Sequence, residues 1–153
     1  MSKAWRIVKT RYAASAFDGE GARRFGGRWS SKGVRVVYTA ESVALAVLEV
    51  LVHLDSSDVL TAYSLCSVEF DDSPVERLDR SALPANWRDY PAPAGLQRIG
   101  DEWAASGSSA VLEVPSVIVE TESNYLLNPA HPDFTSLKLG TPWPFEFDPR
   151  LLE

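Results

Sequence analysis

The segment AESVALAVLEVLVHL, residues 40–54, restricts the fold more than any other part of the chain. Its spacing predicts a helix from about Ala40 to Leu54, capped by Thr39, with Glu41 in a first turn that favours acidic side chains. The helix is apolar nearly all round, the pattern of a buried element rather than of one resting on a surface. Glu49 interrupts that pattern. Its neighbours three and four positions away are Leu45, Ala46, Val52 and His53. Its carboxylate must therefore be paired, hydrogen-bonded or turned towards a cleft, because an unpaired buried charge is expensive. A purely structural alternative is an ion pair with His53 or with an arginine of the basic N-terminal segment. The run from Val43 to Leu54 is too short to span a bilayer.

The surroundings of this helix read as a mixture of strands and loops. Residues 5–12 (WRIVKTRY), 34–38 (VRVVY) and 59–70 (VLTAYSLCSVEF) read as strands, and 109–119 as one or two strands broken at Pro115. Residues 17–33 hold five glycines and few aliphatic side chains, which predicts a long loop of the kind that usually carries function. A second helix is expected near residues 95–106, and the proline-rich end is expected to be mostly loop with short strands. Strands and helices alternate irregularly, which argues for an α+β fold. At 153 residues the chain has the size of a single domain, and folding should bury roughly 70% of its unfolded surface without help from disulfides. Cys66 is the single cysteine and reads as core. With no disulfide available and no apolar run in MSKAWRIVKT, the expected location is the cytoplasm.

Charge is unevenly spread. Residues 1–35 carry nine Lys or Arg against Asp18 and Glu20, a balance of +7, while the remainder carries −13 and the whole chain −6. An acidic chain with its positive charge gathered at one end is a poor general nucleic-acid binder, yet it can focus a positive field on a small anion. The alternative is that the same asymmetry simply holds the two halves together. The motif GGRWSSKG, Gly26 to Gly33, fits the small-anion reading. Glycines allow close approach of backbone to a ligand, and Arg28 offers a planar fork suited to phosphate oxygens. Trp29 and Tyr38 add flat surfaces for stacking, although each feature alone is also compatible with a plain turn and a core tyrosine.

Other chemistries find little support. The GxGxxG and GxxxxGK[ST] phosphate loops, CxxC, HExxH and the GxSxG elbow are all missing. Two histidines and one cysteine make a metal centre an unpromising reading, so none is expected. A ribonuclease would need both His53 and His131 and lacks a basic groove.

Taken in order, these residues resemble the RES-domain family, named for an arginine, a glutamate and a serine. The core GGRWSSKGVRVVYTAESVALAVLEVLVHL carries Arg28, Tyr38 and Glu49 at spacings of ten and eleven. Ser116 follows Pro115 in VLEVPSVIV, and SNYLLNPAHPDF, with Asn124, Asn128 and His131, resembles the family's NPxHP stretch. The opening WRIVKTRYA has a similar counterpart, which brings in Arg11 and Tyr12. The resemblance runs from about residue 5 to 138 and leaves residues 139–153 unmatched. It implies a mixed, split β-sheet with flanking helices, like that of ADP-ribosyltransferases, and a toxin that consumes NAD as substrate without a permanently bound cofactor. Glu49 would stabilise the ribosyl cation or hold the ribose hydroxyls. Arg28, with Arg11 as a second cation, would hold phosphate. Tyr38 would stack on or orient nicotinamide, Ser116 would hydrogen-bond ribose or nicotinamide, and Tyr12 and Asn128 would complete the substrate contacts. The expected partner is an antitoxin with a helix-turn-helix DNA-binding domain and a C-terminal region covering the cleft. Within that complex the chain could form a homodimer. Trp87, Tyr90, Trp103, Trp143 and Phe147 are candidate contact aromatics, with core packing as the alternative. The competing functional readings are transfer of ADP-ribose to one host protein and nucleotide binding without cleavage.

Overall fold

A computed structural model describes residues 1–54 and 61–152. Among the described residues, eight strands form one sheet: β1 (Ser2–Lys9), β2 (Val37–Ala40), β3 (Tyr63–Phe70), β4 (Glu76–Arg77), β5 (Val111–Pro115), β6 (Ser123–Leu127), β7 (Lys138–Leu139) and β8 (Trp143–Phe145). Three α-helices accompany them among the described residues: α1 (Glu20–Phe25), α2 (Val43–Leu51) and α3 (Ala94–Ser106). The strand order is β4-β5-β6-β2-β1-β3-β7, with β8 also on β3; β4 and β5 pair in parallel, and the other pairs of described strands are antiparallel.

The sheet is split, as the α+β reading expects. β1 pairs with β3 along its whole length, from Ser2↔Phe70 to Lys9↔Tyr63. Against β2 it has a single rung, Trp5↔Ala40. One leaf therefore consists of β1, β3, β7 and β8, and the other of β2, β6, β5 and β4. α2 covers the first leaf by packing Leu45 and Ala46 against Ile7, Ala40, Tyr63 and Leu65. α3 and the 29–36 segment cover the second, through Trp29, Val36, Leu96 and Trp103 against Leu112, Val114 and Leu126. The opposite face, with Ala4, Val37, Val68, Phe70 and Leu127, is closed by Phe17, Phe134 and Leu137.

Several local expectations need correction. The long loop contains α1, a helix of six residues bounded by Gly19 and Gly26. The first strand ends at Lys9, and Arg11 and Tyr12 lie in a 3₁₀ turn, Thr10–Ser15. β2 begins at Val37, three residues later than the strand read from VRVVY. The third strand begins at Tyr63, while the first two residues of the 59–70 reading lie outside the described residues. The cap of α2 is Ser42, whose Oγ accepts the Leu45 N–H at 3.1 Å; Thr39 instead belongs to β2 and donates to the Tyr125 carbonyl. β-branched Thr39 suits a strand, and Ser42 is the first side-chain oxygen placed to take an orphan helix donor. α2 is also less buried than its composition predicts. Leu48 is 40% and Val52 62% exposed, and Ala44 on the same stripe is exposed as well. Only one side of the helix meets the sheet, so an all-apolar sequence leaves the other side uncovered.

Candidate active site

Glu49 projects from α2 towards the start of β6, where Asn124 meets it. Asn124 is buried, and its Nδ2 donates both to Glu49 Oε1 at 2.8 Å and to the Thr39 carbonyl at 3.1 Å. One amide thus ties the helix carboxyl to β2. Neither structural ion pair is present: His53 is exposed, and among the described residues no cation pairs with Glu49. Burial pushes the Glu49 carboxyl up to about 7, the Asn124 hydrogen bond opposes this, and the nearby Glu122 adds to it. Glu122 is held in turn by Ser42 Oγ, which donates to its Oε1 at 2.9 Å. The result is a carboxyl that changes charge near neutrality, a property common where a side chain must answer to a charged reactant.

Tyr38 precedes Thr39 on β2, so the same strand carries a second candidate residue. Its hydroxyl and Ser30 Oγ are 2.6 Å apart, and it accepts the Trp29 N–H at 3.2 Å. The ring packs in the cluster beneath α3. A Cβ on Gly27 would lie 2.5 Å from Tyr38 Oη, so only glycine admits this tyrosine under the loop. α3 fixes the loop from the other side. Gln97 Nε2 donates to the Gly27 carbonyl at 3.0 Å, and Asp101 accepts the Ser31 N–H and hydroxyl at 2.8 and 2.6 Å. Gly100 lies so close that a Cβ there would fall 1.7 Å from the Trp29 carbonyl oxygen.

Arg28 leaves this loop half-buried and turns to residues 87–89. Its Nη1 donates to the Trp87 carbonyl at 2.9 Å and to the Asp89 carbonyl at 3.1 Å. Ser116 is fully buried, and its Oγ accepts the N–H groups of Ile118 and Val119 at 3.1 and 3.2 Å. Its own N–H donates to the Glu122 carbonyl, which links it to the Glu49 surroundings. Asn128 is buried one strand length away from Asn124, roughly 13 Å along β6. It donates to the Ala104 carbonyl and accepts the Ala130 N–H. His131 caps the 3₁₀ turn Pro132–Ser136 by accepting the Asp133 N–H. Arg11 and Tyr12 are exposed, with the guanidinium 5.0 Å from the ring. The structure therefore joins Glu49, Tyr38 and Ser116 through β2 and the 116–122 turn, and sets Asn128 apart. Of the candidate contact aromatics, Trp103 is core, Trp87 and Phe147 are packed, and Tyr90 and Trp143 are exposed.

Sequence reasoning gave no site role to Asn124 and overlooked Arg6. Arg6 stands in the gap that opens beyond the Trp5↔Ala40 rung, and its Nη1 donates to the Tyr38 carbonyl at 3.1 Å. Its Nε is buried with no partner, and among the described residues it has no salt bridge. An arginine on the parity of Ala4 and Val8, between strand residues, was the available signal. A separate surface groove lined by Ser2, Asp72, Arg77, Glu113 and Tyr125 shares no residue with this site and holds an Arg77–Glu113 ion pair.

A split sheet with one acidic helix laid over its seam defines an α+β class already seen in a solved complex. The M. tuberculosis MbcT–MbcA toxin–antitoxin crystal structure matches at a TM-score of 0.78 and 20% identity, over 95% of this chain and 84% of that one. Within that class the chain belongs to the RES-domain family, whose model matches residues 3–148. It is similar to Toxin Res of Yersinia enterocolitica, at 49% identity over 96% of this chain and 97% of that protein. It is also similar to the Prs ADP-ribosylating toxin of Sphingobium, at 39% identity over 97% of this chain and 95% of that protein. Among the described residues, no helix is long and apolar enough to cross a membrane.

Proposed function

We propose that the chain is the toxin of a bacterial toxin–antitoxin pair and that it splits the nicotinamide–ribose bond of NAD, with water or phosphate as acceptor. The observation that carries this reading is the Glu49 carboxyl, held by Asn124 and poised near neutrality on the covered side of α2. Nicotinamide in NAD is a cation bound to ribose. When the C1′–N1 bond breaks, its electron pair goes to the ring nitrogen, and nicotinamide leaves as a neutral molecule. No acid is needed for the leaving group, in contrast to glycosidases that use two carboxyls. What the reaction needs is negative charge beside the C1′ that turns cationic. Glu49 supplies it once ionised, and an approaching cation favours that ionised form. The acceptor oxygen then adds to C1′ and gives up its proton to solvent.

The relatives' names support the toxin reading, and the antitoxin of the solved complex supports a cognate partner. The test is nicotinamide release from purified, antitoxin-free protein given NAD, with and without inorganic phosphate. Release in both conditions marks a hydrolase, and a phosphate requirement marks a phosphorylase. No release from folded protein would sink the proposal. The Sphingobium relative's name favours a second reading, transfer of ADP-ribose to a protein. Adenine-labelled NAD leaving its label on a protein of the lysate would select it.

A further inference from the structure

We propose that Arg6 is an anion-binding residue of the substrate site, its guanidinium taking a phosphate oxygen of the dinucleotide; this rests on the NAD reading above. A guanidinium has five N–H donors. Here one Nη1 bond goes to the Tyr38 carbonyl, and Nε–H has no partner. Among the described residues no carboxylate forms an ion pair with it. Asp18, the acidic residue whose field reaches it, uses its Oδ1 to accept the Glu20 N–H. The other ionisable neighbour is Cys66, across β3, a thiol whose own ionisation burial opposes.

A buried cation in this condition is costly, and a side chain that only filled the gap would do so more cheaply without charge. Its position also suits a ligand. The gap between β1 and β2 opens beside Tyr38, next to the strand residue whose carbonyl anchors Asn124 and Glu49. The residue is half-buried as a whole, while its Nε is sealed from solvent. Arg28 differs, because two backbone carbonyls already engage it. Arg6 has no salt bridge among the described residues and keeps a buried, unpartnered Nε–H, and a pyrophosphate oxygen answers its charge.

The test compares ADP-ribose, which carries the phosphates, with nicotinamide, which carries none, by calorimetric titration of antitoxin-free wild type and Arg6→Met. The expected result is an ADP-ribose Kd weakened about tenfold to a hundredfold, the loss typical of one charged hydrogen bond, with nicotinamide binding unchanged. Arg6→Lys should recover part of the loss. An unchanged ADP-ribose Kd in a variant that melts like wild type overturns the proposal. Should Arg6→Met fail to fold, the Arg6 Nε–H resonance of wild type decides: it shifts when ADP-ribose is added, and an unmoved resonance overturns the proposal. Wild type that fails to bind ADP-ribose at all would remove the NAD reading itself. Normal wild-type binding with an unaffected variant would remove only the role of Arg6.

Discussion

Asn124 Nδ2 lies 2.8 Å from Glu49 Oε1 and 3.1 Å from the Thr39 carbonyl, so one buried amide fixes the acidic helix to the strand that carries Tyr38. The carboxyl it holds titrates at about 7, and several consequences can be measured.

Nicotinamide release should rise with pH through about 7, because the ionised carboxylate is the form that faces a ribosyl cation. Asn124→Ala removes a hydrogen bond that favours ionisation, so the midpoint of kcat/KM against pH should move upward. A profile flat from about pH 5 to about pH 9 would count against Glu49 in this role.

Glu49→Gln should slow turnover and stabilise the fold at the same time. The carboxyl's folded pKa, about 7, lies above its unfolded value, 4.5. The folded state therefore holds the proton more tightly between those values, and wild-type stability falls as pH rises from about 4.5 to about 7. The loss amounts to roughly 1–3 kcal/mol above neutrality. Glu49→Gln has no proton to lose. Its Tm at about pH 8 should exceed that of wild type by a few degrees, with near-equality at about pH 4. Turnover should drop about 10²–10³-fold.

Tyr38→Phe leaves the Ser30 hydroxyl and the Trp29 N–H without their partner under the loop. Urea unfolding should show a loss of about 1–3 kcal/mol. The loop that carries Arg28 should also exchange its amide hydrogens faster than in wild type.

Ser116→Ala removes the acceptor for two buried N–H groups, those of Ile118 and Val119. A stability loss of about 1–3 kcal/mol is expected from this alone. If NAD KM rises by much more than the melting change can explain, the hydroxyl also touches substrate.

Gly100→Ala places a carbon inside the van der Waals radius of the Trp29 carbonyl oxygen. α3 must shift or unwind locally, at a cost of roughly 3 kcal/mol. Gly95, on the same helix, has open space where a Cβ would go, so Gly95→Ala serves as the control and should melt like wild type.

Much of the arrangement around α2 was legible because it follows from local patterning. An apolar run with one carboxylate requires a polar partner, and the sequence could specify the need for one without naming it. Asn124 was out of reach of that reasoning because it arrives on β6, seventy-five residues later, through strand pairing with β2. β6 itself was read as part of a proline-rich tail, since SNYLL carries no alternation strong enough to mark a central strand. Arg6 was hidden for the opposite reason. An arginine in a short strand reads as a snorkelling surface residue, and only the single rung between β1 and β2 reveals a gap for it. Ser116 and Arg28 were legible as residues, while their backbone partners depend on turn geometry that spacing does not encode.

The two leaves of the sheet are interleaved along the chain: β1 belongs to the first, β2 to the second, β3 to the first, β4 to β6 to the second, and β7 and β8 to the first again. During synthesis, then, neither leaf can close from an N-terminal fragment. Glu49 is made first, and its anchor Asn124 on β6 follows seventy-five residues later. Until those residues are made, the nascent chain lacks the amide that sets its acidic helix. The site is therefore not assembled on any fragment that stops before β6, however complete its acidic helix.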